Sequence, residues 1–233
     1  MLSFQFAGKD SYKDFGILIE KRPVIPSPQR RVTSVVIPGR SSSLKYDENT
    51  YEDITIAIEC SIKDNVYDRV DEIKSWLLGS GESDLIFSFQ NDRKYIAQVV
   101  NSIDFSVALR ISSHFIIVFT CHPFKYEAMD TTLNVLSSGA MVFNPGSYFS
   151  EPIIKITGSG DISLKINTQE ISIKNSEGNI ILNSVLMDAY DLNLNNLNGK
   201  VAGELPKLET GENFISWNGN ITRMEIVPNW RWL

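Results

Sequence analysis

The segment from Ile54 to Ile62 carries the clearest alternation of apolar and polar side chains in the sequence. One of its faces is apolar throughout: Ile54, Ile56, Ile58, Cys60 and Ile62. A strand with one buried and one solvated face gives this period of two. A second run, Val32 to Ile37, also alternates and stops at Pro38-Gly39, whose residue types suit the central positions of a type II turn. We therefore predict two strands around this turn, separated by a polar loop from Ser41 to Asn49.

Elsewhere in the first 128 residues the patterns predict short strands and one helix. The helix covers Asp64 to Leu78, with Asp64 or Asn65 as its N-cap and Gly79 at its end. Its apolar stripe has helical spacing: Val66, Val70, Ile73 and Leu77. The predicted strands are Leu2–Phe6, Phe15–Ile19, Leu85–Phe89, Tyr95–Asn101, Val107–Ile111 and Phe115–Cys121. We place a turn at Asn91-Asp92 and end the last strand at Pro123, which cannot donate to a ladder.

From Thr131 onward there is no helical pattern, and short apolar runs alternate with turn residues. They predict the strands Thr132–Leu136, Met141–Asn144, Ile153–Gly158, Ser163–Ile166, Glu170–Lys174, Ile180–Asn183, Asp191–Leu194, Asn213–Trp217 and Thr222–Val227. Turn signals include Gly158-Ser159-Gly160, Glu177-Gly178-Asn179 and Asn218-Gly219, the last a strong hairpin signal. The sequence thus predicts a mainly β chain. A β-barrel-like or β-sandwich domain with one α-helix covers residues 1–128, and an all-β sandwich covers residues 129–233.

Composition and charge narrow the class of protein. The chain of 233 residues is 42% apolar and 21% charged, an ordinary globular balance, with a net charge of −6. Residues 1–128 hold 15 basic and 17 acidic residues, and residues 129–233 hold 7 and 11. This argues against a basic face that would hold nucleic acid through its phosphates. With no signal-peptide pattern and no membrane-spanning run, we expect a soluble protein that is made in the cytoplasm.

The cysteines and histidines do not indicate a disulfide or a metal site. Cys60 and Cys121 lie within apolar runs, so we expect buried, reduced thiols; a disulfide would require adjacent strands. His114 and His122 are eight residues apart, too far along one strand to bind one metal ion together. We therefore expect no metal site and no cofactor.

Two further groups of residues can be interpreted in more than one way. Asp188 and Asp191 could be paired glycosidase carboxylates, but acidic residues in β-rich loops usually form turns or are solvated. Trp217, Trp230 and Trp232 could form a sugar-stacking platform, although we favour a role in closing the sandwich core. Because no nucleophile, base and orienting group come together in the sequence, we do not expect an enzyme.

Several motifs follow one another in an order that matches a known family. The Pro38-Gly39-Arg40 turn leads to Tyr51-Glu52-Asp53 and the alternating strand. Later motifs are Asn144-Pro145-Gly146, the run Pro152 to Asn167 with its glycines, the run Gly203 to Ile215, and the ending Pro228 to Leu233. Together they resemble the motifs of siphophage distal tail proteins over nearly the whole chain. One departure is Ser41-Ser42-Ser43, which stands where the family often has an acidic residue and a glycine.

The resemblance implies a structural role. Distal tail proteins form a hexameric ring at the tip of a long non-contractile tail, between the tail tube and the tail-associated tip protein of lysin type. Their N-terminal domains build the ring, and DNA passes through the lumen without specific binding. Their C-terminal domain is galectin-like and points outward, where it can dock receptor-binding proteins. We accordingly expect a homo-hexamer in the virion tail that contacts no membrane and needs no cofactor.

The predicted ring-interface candidates lie around the turn: Pro38, Gly39, Arg40, Ser41, Ser42 and Ser43. The loop that they begin is too long for a tight turn alone and could dock on a neighbouring subunit. The alternative function is a carbohydrate-binding module in the C-terminal domain, with Trp217, Trp230 and Trp232 as contacts. Galectin-type sites include a histidine, and none follows His122, so we expect no strong binding of simple galactosides.

Overall fold

The computed structural model describes residues 1–63, 66–101, 106–109 and 112–233. These residues are mainly β-structure, which confirms the predicted fold class. They pack as two compact units. Unit 1 consists of residues 1–128 together with Leu233, and unit 2 consists of residues 129–232. Each unit has its own hydrophobic core.

Unit 1 is built on an antiparallel sheet. In chain order its described elements are β1 Phe4–Phe6, β2 Lys9–Asp10, α1 Ser11–Phe15, β3 Ile17–Ile19, β4 Arg30–Val35, β5 Leu44–Tyr51, β6 Ile54–Lys63, α2 Val66–Gly79, β7 Ser83–Phe87, β8 Gln90–Val99, β9 Ser106–Leu109 and β10 Ser112–Glu127. The sheet order is β2-β1-β7-β8-β10-β6-β3, with β9 also on β10, whereas β4 and β5 pair with each other. The predicted alternation in β6 is confirmed, since none of its five apolar residues is more than 5% exposed.

Trp76 of α2 lies at the centre of the unit 1 core. Its ring stacks on Phe15 at 4.3 Å and on Phe4 at 5.8 Å between centroids. Its Nε1 donates to the carbonyl of Phe6 at 2.9 Å, so the polar atom of the buried indole is satisfied. Ile73 and Leu77 of the predicted stripe are buried and Val70 is packed against the core.

The prediction of a single helix in unit 1 is wrong, because α1 separates β2 from β3. Asp10 caps α1 by accepting from the backbone N–H groups of Tyr12 and Lys13, both at 2.9 Å. Gly16 ends the helix in the left-handed region with φ of 69°. Five residues are too few to show an apolar stripe, so the sequence predicts only the strand Phe15–Ile19 in this region. The predicted caps of α2, at residues 64 and 65, lie outside the described residues.

Two predicted strand boundaries in unit 1 are also wrong. The turn after β7 falls at Ser88-Phe89 and not at Asn91-Asp92, which lie in the exposed start of β8. β10 continues through Pro123 to Glu127, although proline usually ends a strand. The register of β10 against β8 shifts between residues 121 and 125, and a proline is tolerated where the ladder is interrupted.

The two cysteines are buried and free, as expected. β6 and β10 are neighbours, but Cys60 lies opposite Phe115 and Cys121 lies opposite Ile54. The thiols are therefore six residue positions apart along the paired strands, too far for a disulfide. Burial raises the pKa of each thiol to about 12, so both act as small apolar groups.

Unit 2 is built on a second antiparallel sheet, which has three long strands at its centre. Its elements are β11 Leu133–Val135, β12 Ala140–Asn144, β13 Ile153–Ile166, β14 Gln169–Asn183, β15 Asp188–Tyr190, a 3-10 helix Asn198–Lys200, β16 Val201–Ala202, β17 Gly211–Val227 and β18 Arg231–Trp232. The order is β11-β17-β13-β14-β15, with β12 on β17 and β16 on β14. The predicted strand Asp191–Leu194 is wrong, since these residues follow β15 as a turn.

β13, β14 and β17 are continuous where the sequence predicts six short strands and a hairpin at Asn218-Gly219. The supposed turn glycines lie inside these strands at one level of the sheet, with Gly158 opposite Gly178 on one side and Ile221 on the other. The register shifts at this level, so the glycines mark a bend and not the end of a strand. Residues on both sides of the bend contribute to one core, as expected of a curled sheet.

The bend brings two backbones very close together. A Cβ atom on Gly158 would lie 2.4 Å from the carbonyl oxygen of Asn220. A Cβ atom on Gly219 would lie 2.4 Å from the carbonyl oxygen of Asp161, and Gly219 has φ of 104°. Only glycine fits both positions without displacement of the neighbouring strand.

Candidate assembly surface

β4 and β5 form a two-stranded ribbon from Arg30 to Tyr51, called the arm below. The predicted polar loop from Ser41 to Asn49 is wrong over most of its length, because β5 begins at Leu44. All of β4 and β5 is exposed except the half-buried Tyr51. Because no buried face selects apolar residues at alternate positions, β5 lacks the pattern by which strands are recognised.

The tip of the arm contains the six predicted interface candidates, residues 38–43. The N–H of Arg40 donates to the carbonyl of Ile37 at 3.1 Å, and Gly39 has φ of 82°. This geometry confirms the predicted type II turn at Pro38-Gly39. The candidates are exposed except for the half-buried Ser43, so the tip is accessible to a neighbouring protein.

The two faces of the arm differ in polarity: the first is more apolar than the second. The first face carries the cross-strand pairs Val35–Leu44 and Thr33–Tyr46, and the second carries Ser34–Lys45 and Val32–Asp47. On the first face Val35, Leu44 and Tyr46 expose 49, 50 and 66% of their surface. Leu44 and Tyr46 are not among the predicted interface candidates, and the only signal for them in the sequence is the three-residue alternation Leu44-Lys45-Tyr46.

The root of the arm is fixed by local contacts. Arg30 Nε lies 2.7 Å from a carboxylate oxygen of Asp47, and Arg30 Nη2 donates to the side chain of Asn49 at 2.7 Å. The backbone N–H of Asn49 donates to Asp47 at 2.8 Å, and this bond, followed by that from Arg30, lowers the pKa of Asp47. Tyr51 packs edge-on against Phe124 at 5.8 Å between centroids. The arm is therefore held at its root while both its faces are exposed.

These features make the arm a candidate assembly surface. A two-stranded ribbon alone is only marginally stable in water. In the part of the chain that the structure describes, β4 and β5 pair with no third strand, so each has an open edge able to add another strand. An exposed apolar face combined with open edges is typical of a surface that another chain covers.

The three candidate tryptophans do not form a common platform. Trp230 is 5% exposed and belongs to the unit 2 core. Trp217 and Trp232 are half-buried and pack against the same core. Since sugar stacking needs a free ring face, the arrangement favours the core interpretation, above all for Trp230.

Each histidine contacts a different glutamate side chain. His122 Nε2 lies 2.6 Å from Glu82, and His114 contacts Glu20 through Nδ1. Nowhere in residues 1–63, 66–101, 106–109 and 112–233 do three or more His, Cys, Asp and Glu side chains converge as metal ligands.

The carboxylates of Asp188 and Asp191 both accept hydrogen bonds from asparagines of the loop that follows β15. Asp188 accepts from Asn198 Nδ2 at 2.7 Å. Asp191 accepts from the N–H groups of Asn193 and Asn195 at 2.8 and 2.9 Å, and hydrogen bonds from Asn195 lower its pKa. The turn-forming interpretation is therefore confirmed for Asp191, whereas Asp188 lies in β15 and its carboxylate holds the loop after that strand.

The motif asparagines of unit 2 hold its loops in place. Asn144 accepts from the N–H of Gly146 at 2.7 Å and donates to the carbonyl of Leu208 at 3.0 Å. Buried Asn213 accepts from the N–H of Glu209 and from the side chain of Asn167, at 2.8 and 2.9 Å. These motif positions thus satisfy buried backbone groups of the loops in unit 2.

The fold has a known counterpart although the sequence matches little. No family model and no curated protein matches the chain. Among solved structures, it is similar to the crystal structure of the SPP1 Dit (gp 19.1) protein, described as a paradigm of hub adsorption apparatus in Gram-positive infecting phages. The TM-score is 0.72, the similarity covers 97% of each chain, and 11% of residues are identical. The resemblance seen in the motifs is therefore confirmed in the fold. No helix among the described residues is long and apolar enough to cross a membrane.

Proposed function

We propose that this protein is a structural hub of a long non-contractile phage tail, which joins the tail tube to the tip and the receptor-binding apparatus. The fold similarity to SPP1 Dit, which extends over 97% of both chains, carries the proposal. A match that includes both units supports it better than a match to one β-sandwich, because single sandwiches serve many unrelated functions. In this role the protein belongs to the virion tail and is not an enzyme.

In the proposed assembly, six copies form a ring through unit 1. A closed ring uses a heterologous contact, in which one surface of each copy meets a different surface of the next. The arm provides one such surface, because its tip is accessible and its face with Val35, Leu44 and Tyr46 is uncovered. The neighbouring copy would cover this face and could pair with an open edge of β4 or β5.

The remaining proposed partners are the tail tube protein, a tip protein of tail-associated lysin type, and receptor-binding proteins that dock on unit 2. DNA would pass through the lumen of the ring without specific binding. The balance of 15 basic and 17 acidic residues in unit 1 supports this arrangement. A strongly basic wall would release counterions from the phosphates and retain the DNA.

Sedimentation of the full chain, alone and with the tip protein, tests the proposal. We expect a hexamer in at least one of these conditions. The double variant Leu44→Ser/Tyr46→Ser should weaken assembly, whereas the control Lys45→Ser, on the opposite face of the same strand, should assemble as the parent does. Circular dichroism should show that all three proteins are folded. A parent that stays monomeric with the tip protein present would overturn the hub.

A polar groove of about 320 Å³ on unit 2 favours the alternative function, a carbohydrate-binding module. Ser163, Lys165, Glu170 and Asn218 line it, and Trp217 adjoins it. Unit 2 contains no histidine, so we expect isothermal titration with lactose to give no stoichiometric heat. Tight binding of lactose would favour the alternative over the hub.

A further inference from the structure

Three large apolar side chains form a continuous exposed patch on unit 2. Met141, Phe143 and Phe214 are 55, 63 and 57% exposed. Met141 lies directly opposite Phe214 in the pairing of β12 with β17, and Phe143 is two residues along β12 on the same face. Single exposed apolar residues are common on protein surfaces, but a contiguous group of three is a candidate contact site.

The patch lies on a strand with an open edge. In the described strands β12 pairs with β17 alone, so its other edge adjoins no strand. The sequence of β12, Ala140 to Asn144, contains no charged residue and no proline, the residues that usually protect an edge from further pairing. The strand therefore combines free backbone groups with outward apolar side chains.

The size of the patch indicates what can cover it. Full burial of a large side chain removes about 150–250 Å², so the three residues expose roughly 350 Å² between them. A stable interface between two folded proteins buries about 800 Å² on each partner. The patch therefore suits a short segment better than a second copy of this chain.

The charges on the same face define the segment further. Glu212 lies directly across from Phe143 on β17. Lys165, a cation on the same face, lies opposite Glu170 on β14, so its charge faces another carboxylate. A segment with a basic residue near Glu212 is thus favoured over an acidic one.

We propose that β12 is a docking strand for an extended segment of another protein. The segment adds to the sheet beside β12, and its apolar side chains, at alternate positions, cover Met141 and Phe143. The inference rests on the proposed function in one respect only, the source of the segment, which is a peripheral protein of the tail tip.

A random library of twelve-residue peptides displayed on yeast tests the proposal with the full chain as bait. We expect the selected peptides to alternate apolar and polar residues and to carry lysine or arginine. They should slow hydrogen exchange of the amides in residues 140–144. Phe143→Ser should weaken their binding by about tenfold or more, as truncation of a central aromatic residue usually does.

Leu186→Ser is the matched control, because Leu186 is 67% exposed on the same unit but lies outside the patch. It should bind the peptides as the parent does. If Phe143→Ser does not fold, Met141→Ser replaces it. The proposal is overturned if no peptide is selected, or if the peptides bind Phe143→Ser as tightly as Leu186→Ser. It is also overturned if the parent is a dimer that Phe143→Ser abolishes, because a second copy of the chain would then cover the patch.

The outcome is independent of ring formation. Phe143→Ser should assemble like the parent, while the arm variant Leu44→Ser/Tyr46→Ser should bind the peptides like the parent. Loss of rings with peptide binding intact would count against the hub alone. Loss of peptide binding in every variant with rings intact would count against the docking strand alone.

Discussion

Replacement of four glycines in unit 2 by alanine, one at a time, separates two costs of a side chain at the bend: an unfavourable positive φ and a clash with a neighbouring backbone. Gly219 combines positive φ with a close approach of backbone, and Gly158 has the close approach alone. Gly160 has positive φ, 77°, with open space around it. Gly199 has neither feature. The four alanine variants therefore form a complete comparison within one unit.

The expected losses follow from these features. Gly199→Ala should change the free energy of unfolding by less than about 0.5 kcal/mol. Gly160→Ala should cost about 1–2 kcal/mol, because an L-residue is disfavoured at its backbone angles. Gly158→Ala should cost about 1–3 kcal/mol, because a contact of 2.4 Å forces β17 to move. Gly219→Ala should cost about 2–5 kcal/mol, since both costs apply.

Urea unfolding followed by tryptophan fluorescence measures these changes. Three of the four tryptophans, Trp217, Trp230 and Trp232, lie in unit 2, whereas Trp76 lies in unit 1. A midpoint shift at constant slope reports the change in stability. If Gly219→Ala is no less stable than Gly199→Ala, the close approach of β13 and β17 does not require glycine, and the account of the bend is refuted.

Three further predictions concern other parts of the chain. Limited proteolysis should cut first between residues 127 and 139 and leave two resistant fragments, since the boundary between the two units, at residues 128 and 129, lies in this range; diffuse cleavage would contradict this. In an NMR titration Asp47 should have a pKa below 3.8, and Arg30→Gln should reverse only part of the shift, because the N–H of Asn49 contributes more; full reversal would refute the assignment. Because the pKa of Asp47 is lowered in the folded state, its ionised carboxylate stabilises the root of the arm at pH values above the usual pKa of aspartate. This contribution is lost as the pH falls through the lowered pKa. Both cysteines should react slowly with thiol reagents at mildly alkaline pH and rapidly in urea, because burial raises their pKa to about 12; fast labelling of the native protein would be inconsistent with the core.

Sequence patterns predicted the elements whose burial is one-sided. β6 was predicted because its inward face had to be apolar at every second position. β5 was missed because both its faces are exposed and no such selection acts on it. The turn at Pro38-Gly39 was predicted because its requirements are local to the two residues. The apolar face of the arm was not predicted, since it forms only when Leu44 and Tyr46 pair with residues of β4.

The bend in unit 2 could not be predicted from local patterns. Glycine and asparagine occur both in turns and where two backbones approach closely, so Asn218-Gly219 indicated a hairpin. The close approach of the Asp161 backbone to Gly219 decides that this glycine lies within a strand and not in a turn. Asp161 lies more than fifty residues earlier in the chain. No short window of sequence contains that contact.

The continuity of the long strands sets the order in which unit 2 can fold. β13 meets β14 through a tight hairpin, in which Ile166 pairs with Gln169. Its partner on the other side, β17, begins much later, and Ile166 pairs there with Ile215, 49 residues along the chain. The loop-closure entropy of this second pairing makes it slow relative to the hairpin. Until β17 pairs with it, the central strand β13 has an unpaired backbone edge and an incompletely covered apolar face. Refolding at high concentration should therefore divert part of the protein into aggregates, whereas dilute refolding should recover it.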